Sequence, residues 1–330
     1  MFKSTQALVA ALSLSVSVLT AAPASAQTQI LASHAFLKAP NVQVGVRPNG
    51  AFGSTTVPAG FNPTSSPCLG FIVSRNNDGF PGSQRDGDFF CPGNPIEGWM
   101  LSVNGSLAIN RDSSTSIPGA LGSLVVGPPT HSVTWTSTAP FHGISVSQVY
   151  AVADAGQTLT MTATLRNATG ADIHNVQFAR YVDPDNATNS DVYNSTNKVH
   201  AQGAGAQVTA SFGNGAILAL SSTDPRTVAA RSPGHSPPLT PDAILNGGGW
   251  SRDVGTSATA DALIGLAFDI GTIRAGQSET IVMSYPLTAA ALPAAGPQPV
   301  PTLSEWAMIL FGAVLAGGAA LHIQRRRLTA

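Results

Sequence analysis

Leu159-Thr160-Met161-Thr162-Ala163-Thr164-Leu165 alternates apolar and polar residues over seven positions. Period-two alternation is the mark of a strand with one face buried and one face wet. Upstream, Ala153-Asp154-Ala155-Gly156-Gln157 has turn chemistry, and Ile144-Ser145-Val146-Ser147-Gln148-Val149-Tyr150 alternates before it. Downstream, Asn167-Ala168-Thr169-Gly170 closes the strand, and Val176-Gln177-Phe178-Ala179-Arg180-Tyr181 starts another. Strands separated by short turn signals imply an all-β antiparallel sandwich or barrel.

The pattern continues on both sides. Val42 to Val46 alternates into the turn Pro48-Asn49-Gly50, and His131 to Thr136 alternates as well. Gln207 to Phe212, then Gly213-Asn214-Gly215, then Ala216 to Leu220 read as a hairpin. Leu263–Ile270 and Glu279–Tyr285 read as a last pair of strands. Residues 58–98, rich in Pro, Gly and Asn, and 221–258, with Ser232-Pro233-Gly234, Pro237-Pro238 and Gly247-Gly248-Gly249, read as irregular. No window has a helical period and no repeat has a fixed length.

The ends of the chain differ from its middle. Lys3, the apolar run Ala7 to Ala22 and the small-x-small site Ala24-Ser25-Ala26 form a signal peptide over 1–26, with the mature chain starting at Gln27. Such a segment engages the export machinery and signal peptidase. The extracytoplasmic β-sandwich region is 27–290, as one large domain or two small ones, and a Pro-rich linker fills 291–299. The net charge is −1 and only 10% of residues are charged, which excludes a basic surface for nucleic acid. Cys68 and Cys91 are the only cysteines; in an oxidising compartment they are expected to form a disulfide.

After the linker comes Val300-Pro301-Thr302-Leu303-Ser304-Glu305-Trp306, then an apolar run to Ile323, then Arg325-Arg326-Arg327. Residues 306–323 as a helix would span roughly 27 Å, enough for one crossing of a thin bilayer. Trp306 suits one interface, and the three arginines suit the cytoplasmic side. This layout resembles the IPTL-CTERM sorting domain, which is similar to PEP-CTERM signals. Val300 stands where Ile is usual, and Ala307 where Gly is common. The resemblance implies a Gram-negative cell, transient anchoring in the inner membrane, and an exosortase-type enzyme that cuts near Pro301-Thr302-Leu303 and delivers the protein to the surface or beyond; a permanent anchor with no cleavage is the other reading of the same tail.

The middle carries no His-Glu-x-x-His, phosphate loop or dinucleotide fingerprint. Gly234-His235-Ser236 lacks the closing glycine of a nucleophile elbow, because Pro238 stands there. His34, His131, His142, His174, His200 and His235 are scattered without metal-ligand spacing. Asp183, Asp185, Asn186 and Asp191, with Asn189 among them, put several oxygen ligands on one loop, which suits Ca²⁺. Turn chemistry accounts for the same residues without an ion. A second group joins Asn76-Asn77-Asp78-Gly79 to Asp86-Gly87-Asp88.

The segments Gln148 to Asn167, Phe178 to Asp185 and Ile264 to Pro286 resemble modules of bacterial surface and autotransporter-like proteins. That likeness implies a two-sheet sandwich, or the supersandwich of sugar mutarotases, and supplies no catalytic residue. The expected role is a non-enzymatic surface or extracellular structural or adhesive protein. The alternative is a carbohydrate-binding or carbohydrate-modifying domain in which Trp99, Trp135 and Trp250 stack on sugar rings.

Overall fold

A computed structural model describes residues 28–61, 68–76, 79–80, 88–91, 96–186 and 189–294. The signal peptide, the sorting motif from Val300 to Trp306, the span 306–323 and Arg325 to Arg327 lie outside the described residues. Among the described residues no helix is long and apolar enough to cross a membrane.

In chain order the strands are β1 (Gln29–Leu31), β2 (His34–Lys38), β3 (Val42–Val46), β4 (Phe71–Val73), β5 (Glu97–Val103), β6 (Ser106–Arg111) and β7 (Ser114–Thr115). Next come β8 (Gly119–Val125), β9 (Thr130–Ser137), β10 (Ile144–Ala153), β11 (Thr158–Asn167), β12 (Ile173–Val182) and β13 (Ser195–Ala201). Then follow β14 (Ala206–Ser211), β15 (Ile217–Ser222), β16 (Thr227–Arg231), helix α1 (Pro241–Asn246), β17 (Ser257–Ala260), β18 (Ile264–Ile273) and β19 (Ser278–Pro286).

The strands form three antiparallel sheets. One has four strands in the order β1-β2-β3-β4. A second has nine, β17-β13-β14-β15-β19-β11-β10-β9-β8, and a third has six, β16-β18-β12-β5-β6-β7. Each sheet is open, so the sandwich-like arrangement is reached and the barrel is not.

The seven-residue stretch from Leu159 sits at the heart of the nine-stranded sheet. On β11 the buried apolar residues are Leu159, Met161, Ala163 and Leu165, and Thr160, Thr162 and Thr164 lie on the other face. Register pairs Tyr150 with Met161 and Met161 with Met283, so the buried face runs unbroken across β10, β11 and β19. The four- and six-stranded sheets both meet this face in one continuous core. Burying a large apolar side chain stabilises by about 1.5–3 kcal/mol before entropy is subtracted.

The last two strands correct the sequence reading. β18 pairs with β12 and β16, whereas β19 pairs with β11 and β15. They lie in different sheets, so Gly271 to Gln277 carries the chain from one layer to the other. The stretches read as irregular also hold β4, β16 and α1. Helix α1 is one short turn set by Thr240, whose hydroxyl accepts from the Ala243 amide at 3.0 Å, and it ends at Gly247 with φ +78°. It covers the outer face of the six-stranded sheet, where Ile244 packs with Met100, Ala179, Tyr181 and Trp250.

Candidate functional site

Among the described residues, two groups of charged side chains sit inside the molecule. The first is built around the turn Pro48-Asn49-Gly50 after β3. Asn49 and Gly50 are buried and Pro48 partly so, and a buried loop has to find partners for its backbone polar groups. Here its three consecutive carbonyls are each met by a side-chain donor. The Trp135 indole N–H donates to Pro48 O at 2.7 Å. The Trp99 indole N–H and the Asn110 amide donate to Asn49 O, each at 3.0 Å. The Tyr150 hydroxyl donates to Gly50 O at 2.6 Å, and Arg180 Nη2 donates to it at 3.2 Å. Gly50 has φ +78°, and a Cβ there would lie 2.8 Å from Tyr150 Oη, so glycine is required twice over.

Arg180 projects from β12 into this core and is fully buried. Its Nε donates to Glu97 Oε1 at 2.5 Å, and Glu97 is fully buried too. The other Glu97 oxygen accepts the Phe52 amide at 2.7 Å, and the Tyr285 hydroxyl reaches Oε1 at 3.3 Å. The guanidinium also donates to Gln148 Oε1 at 3.1 Å and lies 4.3 Å from the Phe52 ring centre. Burial pushes the Glu97 carboxyl up and the Arg180 charge pulls it back. Burial alone would lower Arg180, but the adjacent carboxylate holds it above its ordinary value. With no solvent path, this pair is a polar core that orients the turn and the sheets.

The second group lies where β12 ends. Asp183 and Asp185 follow β12 directly. The Asp183 amide donates to Ile96 O at 2.8 Å and the Asp185 amide to Phe89 O at 3.1 Å, which fixes the backbone. Their side chains come together with that of Asp261, from the segment between β17 and β18. One carboxylate oxygen from each lies within 4.8 Å of the others. Asp183 and Asp185 are 7% and 5% exposed, and Oδ1 of each has no hydrogen-bond partner. Burial, then the Asp261 charge, pushes Asp183 up to about 7. Burial, then Asp183, Asp261 and Asp88, pushes Asp185 up to about 9. His235 Nδ1 stands 3.9 Å from Asp261 Oδ2 at the exposed side.

The loop named from sequence is therefore only partly assembled. Asp183 and Asp185 converge. Asn186 Oδ1 instead accepts from the Asn214 amide at 3.0 Å. Asp191 is exposed, and both its carboxylate oxygens bind the Asn194 side chain, at 3.1 and 3.0 Å, so it closes a local turn and leaves the cluster. Asp261 takes its place. In the second acidic stretch, Asn77, Asp78, Asp86 and Gly87 lie outside the described residues. Asp88 is buried and accepts the Gly70, Phe90 and Cys91 amides at 2.8, 2.9 and 3.1 Å. It braces the segment closed by the Cys68–Cys91 disulfide, whose Cα atoms are 5.7 Å apart.

The tryptophans correct the sugar-stacking expectation. Trp99, Trp135 and Trp250 are all buried, and each indole N–H donates to a carbonyl, that of Trp250 to Pro238 O at 3.0 Å. Their faces fill cores because the sheets meet there, and no stacking platform is left. The histidines are dispersed among local partners. His131 bonds Thr28 and Asp154, His174 bonds Thr272, and His200 bonds Thr209.

These observations define a disulfide-closed, antiparallel β domain of sandwich-like build. The tail supplies the second half of the description: residues 298–327 carry the IPTL-CTERM motif. A motif of this kind implies a sorting enzyme of the exosortase type as partner, and with the disulfide it marks an exported, envelope-associated protein. No curated protein matches the chain. Among solved structures it is similar to a TPR-domain containing protein from Parabacteroides distasonis, at 11% identity and TM-score 0.44 over 81% of this chain and 50% of that one. It is also similar to a putative aldose 1-epimerase from Escherichia coli, at 12% identity and TM-score 0.38 over 76% and 97% of the two chains. A galactose mutarotase related enzyme from Lactobacillus acidophilus matches at 8% identity and TM-score 0.40 over 80% and 99%. The chain spans half the length of the Parabacteroides protein. Likeness at this level transfers no residue, ligand or activity.

Proposed function

We propose that this chain is a non-enzymatic structural or adhesive protein of the surface or extracellular matrix of a Gram-negative bacterium. Its signal peptide directs export, and cleavage after Ala26 frees Gln27. The tail then holds it briefly in the inner membrane through 306–323, with Arg325, Arg326 and Arg327 inside. An exosortase-type enzyme cuts near Pro301-Thr302-Leu303 and passes the β domain outward.

The observation that carries this reading is the IPTL-CTERM motif at 298–327, following a β domain closed by a disulfide. The low charge of the chain and the Ser/Thr outer face of the nine-stranded sheet suit a persistent extracellular role. The carbohydrate alternative is not adopted, because its three indoles are buried.

The test is deletion of 300–330. The truncated protein is expected in the medium or periplasm, and the full chain at the surface. Unchanged fractionation would sink the proposal. Intact mass of the protein from envelope and medium reports both cleavage sites in the same measurement.

A further inference from the structure

We infer that Asp183, Asp185 and Asp261 form a binding site for one divalent cation, with Ca²⁺ as the preferred ion. The three carboxylates come from two distant parts of the chain and converge to within 4.8 Å. Oxygens held by one Ca²⁺ at 2.3–2.6 Å stand up to about 5 Å apart, so a single ion can touch all three. An acidic cluster alone is common on loops. Here two members are more than nine-tenths buried, and the Oδ1 atom of each is sealed from water with no hydrogen-bond partner. Buried carboxylate oxygens are ordinarily satisfied, and a hard cation satisfies several at once. The other polar groups of the loop are engaged elsewhere: Asn186 Oδ1 with Asn214, and Asp191 with Asn194. Asp261 is the half-exposed member and gives the ion its way in.

The position of the site gives the ion a structural role. Val182 pairs with Ile264 at the end of the β12–β18 ladder, one residue from Asp183 and three from Asp261. Asp185 is hydrogen-bonded through its backbone to Phe89, inside the disulfide-closed segment. A bound ion would tie the end of the six-stranded sheet to the approach to β18, beside that segment. Ca²⁺ suits such a place because extracellular sites of this ion bind in the range of about 0.1–1 mM. This proposal is independent of the sorting pathway.

The test uses the purified full chain in detergent, stripped of metal with a chelator, then titrated calorimetrically with CaCl₂ alone. The expected result is one saturable site per chain. In 5 mM Ca²⁺ the melting temperature should rise by about 4 °C, with a smaller rise in Mg²⁺, which demands a tighter shell. Asp261→Asn, at the exposed side where folding is least at risk, should weaken Ca²⁺ binding at least about tenfold. Asp191→Asn, outside the cluster, should leave affinity unchanged. No binding up to 10 mM CaCl₂, or Asp261→Asn binding as tightly as the parent chain, would overturn the site.

Discussion

Replacing Arg180 by methionine should destabilise the domain far more than its loss of packing. The guanidinium and the Glu97 carboxylate are both fully buried and meet at 2.5 Å. Removing one partner of a buried pair typically costs about 3–5 kcal/mol, because the other charge stays in the core uncompensated. Arg180→Met leaves Glu97 with the Phe52 amide at 2.7 Å and the Tyr285 hydroxyl at 3.3 Å. It also removes the contact with the Phe52 ring at 4.3 Å, worth about 1 kcal/mol or more. The expected cost is about 4 kcal/mol. Glu97→Gln should cost about 3 kcal/mol by stranding the cation instead. The double variant strands neither charge and should cost no more than the worse single, a coupling of about 3 kcal/mol.

The pH dependence of Arg180→Met separates stranded charge from lost shape. Burial already raises Glu97, and without the guanidinium nothing cationic pulls it back. Between the unfolded carboxylate value and the raised folded one, the native state holds the extra proton. Stability must then fall as pH rises, by about 1.4 kcal/mol per pH unit in that window. Urea unfolding at pH 5 and pH 8, followed by tryptophan fluorescence, measures both quantities. The charge-pair account is refuted by additive single costs below about 1 kcal/mol with no pH slope in Arg180→Met.

Gly50→Ala should cost about 2–4 kcal/mol in urea unfolding, from the positive φ and from a Cβ 2.8 Å from Tyr150 Oη; a cost under about 0.5 kcal/mol would show that the turn can move. Cys68→Ser with Cys91→Ser opens a link of sequence separation 23 and should cost about 3 kcal/mol by loop entropy. Reduction of the parent protein should lower its unfolding free energy by the same amount and its urea midpoint with it, and a midpoint indifferent to reductant would contradict that.

Strand alternation was readable in β10 and β11, where one face is wet, and was missed in β13, whose Ser195-Thr196-Asn197-Lys198 is polar on both faces. In β10 and β11 the Ser and Thr positions fall on the outer face as expected, but Gln148 lies on the buried face, where it accepts from Arg180, and Val149 lies on the outer one. The reading failed for β4, where both faces are covered. Phe71-Ile72-Val73 is buried on both sides and shows no period, so β4 passed as loop. The end of β12 is covered by α1 outside and by the core inside, which hides Arg180 in a run that looks half-polar. The acidic cluster shows the same limit from another side. Asp183 and Asp185 are neighbours in sequence and were legible as a group. Asp261 joins them only through the β12–β18 ladder, and no local spacing records that pairing. Asp191 looked equivalent on composition, but the nearby Asn194 claims it.

The buried turn at Pro48 to Gly50 also bears on the order of events during export. A chain threaded N-terminus first delivers this turn well before its partners: Trp135 follows Pro48 by 87 residues, and Tyr150 and Arg180 follow Gly50 by 100 and 130. Until those donors arrive, the three carbonyls must stay hydrated, and the N-terminal sheet lacks the surface it rests on. Tyr285, near the end of the β domain, packs against Phe52 and Phe71, so completion waits for almost the whole domain to cross. Passage of the chain in an unfolded state would thus leave this turn without its side-chain donors until most of the domain had crossed.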